Sequence, residues 1–231
     1  MPSRQIAREI QESTAVGVTV HGFLHQPKED SVAALVLTHG AGSNANSPVL
    51  IALAESLAMN CVTVFRIDLP FRQLRPKGPP SPSGAAKDQE GLRAAVGLLR
   101  KLVPGKVMMG GQSYGGRQAT MLAASDASAC DGLLLLSYPL HPPGKPNKPR
   151  TAHFPRLQTP AVFVQGSSDP FGSVSEMHDA LALIPAPHLH VVIEGAGHDL
   201  RPGRKAPNQE PLAETIRQAF QEFFHLEQQP C

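Results

Sequence analysis

Gly111-Gln-Ser-Tyr-Gly115 places a serine between two glycines at a spacing that chemistry can use. The short apolar run Val107 to Gly110 precedes it and a helical run, Arg117 to Ala124, follows, so Ser113 falls at a sharp strand-to-helix turn. Such a turn lifts the hydroxyl above the strand end, and a side chain two residues to either side would collide with it. The amide groups that open the next helix point to where an oxyanion would form. A serine needs a base to take its proton and an acid to orient that base. Asp169, in Gly166-Ser-Ser-Asp-Pro-Phe-Gly172, and His198, in Glu194-Gly-Ala-Gly-His-Asp199, are the candidates. Taken singly, an Asp before Pro reads as a turn initiator and a loop histidine as a solvent-exposed residue. Asp68 and Asp199 compete for the acid's role. Asp68 precedes the nucleophile in the chain, and Asp199 adjoins the base too closely to orient it. For the oxyanion, the elbow offers the N–H of Tyr114, and His39-Gly-Ala-Gly42 offers a second from Ala41, with Gly40 as the alternative.

These groups must be carried at the carboxyl ends of strands in one open sheet. Ala33-Ala-Leu-Val-Leu-Thr38 is a continuous apolar run of the kind buried on both faces of a parallel sheet. Similar runs occur at 61–65, 107–110, 132–139, 161–165 and 190–193. Helical patterns fall between them near 48–59, 86–102, 117–124 and 174–183, and an amphipathic helix closes the chain at 211–226. Weak alternation over 4–26 suits an antiparallel edge hairpin. The alternation of strand and helix predicts an α/β fold with a mainly parallel sheet, built as a single domain over residues 1–231.

Together these stretches resemble the α/β-hydrolase superfamily, whose triads run Ser, Asp, His in chain order. More narrowly, the chain is similar to a small bacterial branch of predicted hydrolases. That branch is related to dienelactone hydrolases and to the testis-expressed, chromatin-complex-subunit-like hydrolases. The likeness rests on Leu37-Thr-His-Gly-Ala-Gly-Ser-Asn44, Gly111 to Arg117, Ser137-Tyr-Pro-Leu-His-Pro-Pro-Gly-Lys-Pro146, Gln165 to Gly172 and Gly197-His-Asp-Leu200. It implies the triad Ser113, Asp169 and His198 and a serine hydrolase acting on a small ester or thioester, but no particular substrate. Dienelactone hydrolases use a cysteine where this chain has Ser113. The alternative expectation is a binding or scaffold protein that kept the fold, and a full set of catalytic side chains argues against it.

Two proline-rich loops, 69–84 and 139–160, should border the site. The second is too short for a helical cap and predicts a stiff, extended flap. Between them they hold seven Lys or Arg and no Asp or Glu. Arg72, Arg75, Lys77, Lys145, Lys148, Arg150 and Arg156 form either a solvated basic rim or an entrance that favours anionic acyl groups. Tyr138, His141, Lys145 and Arg150 are the candidate substrate-binding residues, with a packing role for Tyr138 and His141 as the other reading. The ten histidines form no helical H-x-x-x-H or H-E-x-x-H pair, so no metal is expected, and nothing implies a cofactor. A net charge of +2 does not argue for nucleic acid, and 41% hydrophobic content without a long apolar run does not argue for a membrane partner. Three scattered cysteines, with Cys61 in the core and Cys231 a terminal thiol, together with the lack of a signal-like start, predict a reduced, cytoplasmic chain. Oligomeric state is not legible.

Overall fold

The computed structural model describes residues 7–14, 17–201 and 210–226. Eight strands among these residues form one sheet in the order β1-β2-β4-β3-β5-β6-β7-β8. The strands are β1 (Arg8–Ser13), β2 (Thr19–His25), β3 (Ala33–Thr38), β4 (Val62–Asp68), β5 (Lys106–Gln112), β6 (Leu133–Leu136), β7 (Ala161–Gly166) and β8 (His188–Ile193). β1 and β2 form the antiparallel edge hairpin, and β2 pairs antiparallel with β4. All other pairings are parallel. Residues 4–6, 15 and 16 of the expected hairpin lie outside the described residues.

Among the described residues six helices flank the sheet: α1 (Pro48–Ala58), α2 (Pro70–Leu74), α3 (Ala85–Leu102), α4 (Tyr114–Ser125), α5 (Val174–Leu181) and α6 (Glu210–Phe223). Every residue of β3 is buried, as its unbroken apolar run requires. Ala34 and Val36 face a core with Leu92, Val96 and Leu99 of α3 and Leu122 of α4. Leu35 and Leu37 face the other core, with Leu50 and Leu53 of α1 and Ile216 and Phe220 of α6. Period-two side chains on the strand therefore meet helices on both faces.

Connectivity fixes where a crevice opens. From β3 the chain leaves through α1 to β4 on one side; from β5 it leaves through α4 to β6 on the other. The loops after β3 and β5 part at their carboxyl ends, the position where open α/β sheets bind ligands.

Four expectations need correction. Strand β4 runs to Asp68, past the expected end at Phe65. The 69–84 loop opens as helix α2, because Pro70 suits a first helical position and Asp88 Oδ1 accepts the Phe71 N–H at 3.0 Å. The 139–160 segment is no extended flap. It folds through turns and a 3₁₀ turn at Phe154–Arg156, and Leu140, Phe154 and Leu157 anchor it in the core. The cysteines differ from a fully reduced set as well. Cys130 is a buried free thiol, whereas Cys61 is disulfide-bonded. Cys231 lies outside the described residues.

Candidate active site

Ser113 joins β5 to α4 with φ 51° and ψ −113°, a backbone that L-residues avoid. Holding a non-glycine residue there costs on the order of 1–3 kcal/mol, so the surroundings must over-determine it. The Ser113 N–H donates to Leu136 O of β6 at 2.8 Å, and its carbonyl accepts from Arg117 N at 2.9 Å. The flanking glycines explain themselves by contact. A Cβ on Gly111 would lie 2.5 Å from Thr38 O, and one on Gly115 2.6 Å from His39 O. The motif therefore needs glycine on both sides because β3 and the loop after it press directly against the elbow.

Ser113 Oγ lies 2.8 Å from His198 Nε2. His198 Nδ1 lies 2.8 and 3.0 Å from the two carboxylate oxygens of Asp169. An ionised carboxylate only accepts, so Nδ1 carries the proton and Nε2 offers its lone pair to the serine hydroxyl. The Asp169 side chain is 1% exposed and that of His198 is 24% exposed. Asp169 is fixed by the turn it opens: its Oδ1 accepts the Phe171 N–H at 2.9 Å, and its own N–H donates to Gly166 O at 3.1 Å. Phe171 stacks on the His198 ring, with centroids 4.0 Å apart and planes 25° apart. The His198 loop is drawn in by Ser168 N donating to Ala196 O at 2.9 Å. Only glycine suits position 166, where a Cβ would fall 2.3 Å from Ala196 O.

The competing acids are engaged elsewhere. Asp68 accepts from Ala45 N at 2.8 Å and sits 3.2 Å from His21 Nδ1. Asp199 Oδ1 accepts from Arg201 N at 3.1 Å.

Ala41, Tyr114 and Ser113 line one cavity of about 580 Å³. Gly40 packs beneath them, its missing Cβ position 3.5 Å from Ser113 Cβ. Tyr114 is the first residue of α4, where a backbone N–H has no intrahelical partner. Its ring is held from below: the hydroxyl donates to Asp88 Oδ2 at 2.7 Å, and the ring meets Phe71 edge-on at 5.5 Å. Burial raises the Asp88 carboxyl above the ordinary carboxylate range, against the opposing pull of its bonds from Tyr114 and Phe71.

Arg72, expected on a basic rim, is 6% exposed. Its guanidinium donates to the carbonyls of Ala41 at 2.7 Å, Ser43 at 2.8 Å, and Arg75 and Gly78 at 3.1 Å each. It clasps the loop after β3 instead of facing solvent. Arg150 lines the Ser113 cavity; Lys145 is exposed and lies off its wall. Tyr138 is also off the wall: its hydroxyl donates to Arg150 O at 2.6 Å and its ring packs on Phe154. His141 lines a separate hollow with Leu140 and Glu176, its Nε2 3.5 Å from Glu176 Oε1. Arg117, Gln118 and Phe171 line the Ser113 cavity and were not singled out from sequence. The signal was present for Arg117, one helical turn after the serine.

No group of three or more metal-ligating side chains occurs among the described residues. No described helix is long and apolar enough to cross a membrane.

A family model for an alpha/beta hydrolase domain matches residues 31–226. The chain belongs to that family. This alpha/beta hydrolase is similar in fold to a dienelactone hydrolase from Anabaena variabilis, at 22% identity and TM-score 0.73, covering 94% of this chain and 98% of that one. It is similar also to XC6422 from Xanthomonas campestris, described as a serine hydrolase without lid (18% identity, TM-score 0.70, covering 97% and 95%). Est1E from Butyrivibrio proteoclasticus matches at 16% identity and TM-score 0.71 over 94% of this chain and 99% of that one.

Proposed function

We propose that this alpha/beta hydrolase is a serine hydrolase that cleaves a small carboxylic ester or thioester through an acyl-enzyme intermediate. The observation that carries the reading is the unbroken line from Asp169 through His198 to Ser113 Oγ, with both hydrogen bonds at 2.8 Å. His198 Nε2 takes the serine proton as Oγ attacks the acyl carbon, and Asp169 stabilises the imidazolium that forms. The Tyr114 and Ala41 amides hold the oxyanion, with Gly40 beneath them. His198 then protonates the leaving alcohol or thiol. Water enters, gives its proton to His198 and releases the acid, returning the proton to Ser113. No step calls for a cofactor.

A fluorophosphonate probe tests this directly. The natural chain should label, and Ser113→Ala should not, while its circular dichroism spectrum stays unchanged because the hydroxyl sits at the cavity wall. Equal labelling of both proteins would remove Ser113 as the nucleophile. No labelling of either would leave the scaffold reading in its place.

A further inference from the structure

The cavity beside Ser113 has an unusual balance of polar groups. Its wall contains two arginines, Arg117 and Arg150, and no Asp or Glu. Neither arginine takes part in any ion pair made by the described residues. Arg72, nearby, shows what a saturated buried arginine looks like, with its donors on four carbonyls. Arg117 differs: its Nε is buried and has no acceptor. The Arg150 guanidinium has only a 3.5 Å approach to Pro139 O, although its backbone is pinned by Tyr138 Oη and by its own N–H to Leu140 O. A third donor is in the same state. Gln118 lines the cavity and is fully buried, its Oε1 accepts from Gln89 at 2.9 Å, and its Nε2 has no partner.

Unpartnered or weakly held donors thus gather in one wall, where an unmade hydrogen bond is costly. Two like charges also face each other there. Burial, and then the charge of Arg117, disfavour the charged form of Arg150. The same Arg117 charge, after burial, helps hold the nearby His153 down at about 4. An anion set between the arginines would relieve both the repulsion and the missing acceptors. A planar carboxylate matches guanidinium forks in geometry. The rest of the wall, with Pro80, Pro82, Met121 and Phe171, suits a short carbon chain.

We propose that Arg117, Arg150 and Gln118 form a carboxylate-binding subsite beside Ser113, so that the substrate is a short ester or thioester carrying a free carboxylate. The subsite rests on the hydrolase reading for the word substrate but not for the binding.

Calorimetric titration of the Ser113→Ala protein, which needs no turnover, separates the two. Monoethyl glutarate carries the carboxylate on the acyl side, carboxymethyl propionate carries it on the leaving side, and diethyl glutarate is the neutral match. One of the two acids should bind at least about 10-fold more tightly than the diester at low salt, and which one does names the side. Adding Arg117→Gln or Arg150→Gln should each cost about 10-fold in that affinity, and Arg150→Lys, which keeps charge but loses the fork, should fall between. Lys145→Gln and Lys148→Gln, exposed and off the wall, should change it less than about 2-fold. Equal affinity for acids and diester would overturn the proposal, as would equal losses from the lysine and arginine variants, since the effect would then belong to the general field. Should the natural chain fail to label with fluorophosphonate while the acids still bind, the hydrolase reading falls and the subsite stands.

Discussion

Asp169 and Asp68 are a controlled pair of carboxylates. Asp68 ends β4, Asp169 lies just past β7 and both lie near a histidine, but only Asp169 reaches His198, at 2.8 Å. Asp68 instead accepts the Ala45 N–H and stands 3.6 Å from His39. Asp169→Asn would present the wrong partner to Nδ1 and favour the unproductive tautomer, so kcat should fall by about 10⁴, the scale known for a serine protease triad. Asp68→Asn should lower it far less. Steady-state kinetics on a p-nitrophenyl ester compare the two, and reversed effects would make Asp68 the orienting acid. Arg72 works at the same scale through backbone. Arg72→Lys cannot reach four carbonyls, so the Ala41 amide should lose its fixed position. We expect kcat to fall about 10-fold or more with little change in KM, the signature of support felt mainly in the transition state.

Among the elements, the elbow depends on how closely β5 and α4 approach β3. Gly115 lies where any Cβ would fall 2.6 Å from both His39 O and Thr38 Cγ2. Backbone cannot give way as a flexible side chain can, so Gly115→Ala should destabilise the fold by about 1–3 kcal/mol, the usual range for overpacking. Gly97 on α3 is the opposite case, with nothing within 4 Å of its Cβ position. There the same change should stabilise by about 0.5–1 kcal/mol, because alanine loses less backbone freedom in a helix. Urea midpoints for the two variants should move in opposite directions, and a neutral Gly115→Ala would show that β3 and the elbow are less tightly apposed.

Across the molecule, two buried histidines link the fold to pH. His25 Nε2 accepts from Arg66 Nε at 2.9 Å, so the ring must be neutral to make that bond. Burial, and then the Arg66 charge, hold its pKa at about 4. His153, 8% exposed beside Thr120, is likewise at about 4, from burial and then Arg117. A histidine whose folded pKa is depressed contributes stability that is present above its unfolded value near 6.5 and lost as pH falls toward 4. The midpoint of thermal unfolding should therefore drop steadily from pH 7 to pH 4. His25→Gln with His153→Gln should flatten that slope at some cost in stability at pH 7. An unchanged slope in the double variant would place the acid sensitivity elsewhere.

The parallel strands and the order Ser113, Asp169, His198 were readable from residue order because their signals are local. Apolar runs mark strands buried on two faces, and glycines two residues either side of a serine mark a turn with no room. Strand order, the attachment of the N-terminal hairpin to β4, and the packing of the 139–160 segment depend on contacts between stretches far apart in the chain. So does the division of labour among the cations. Arg72, Arg117 and Arg150 look alike in sequence, yet one is saturated by backbone carbonyls, two of them 29 and 31 residues away, while the other two line the cavity without an ion pair among the described residues. An arginine's role is set by which acceptors lie within reach of its side chain, and only the packed segments after β3 and β4 bring four carbonyls to Arg72.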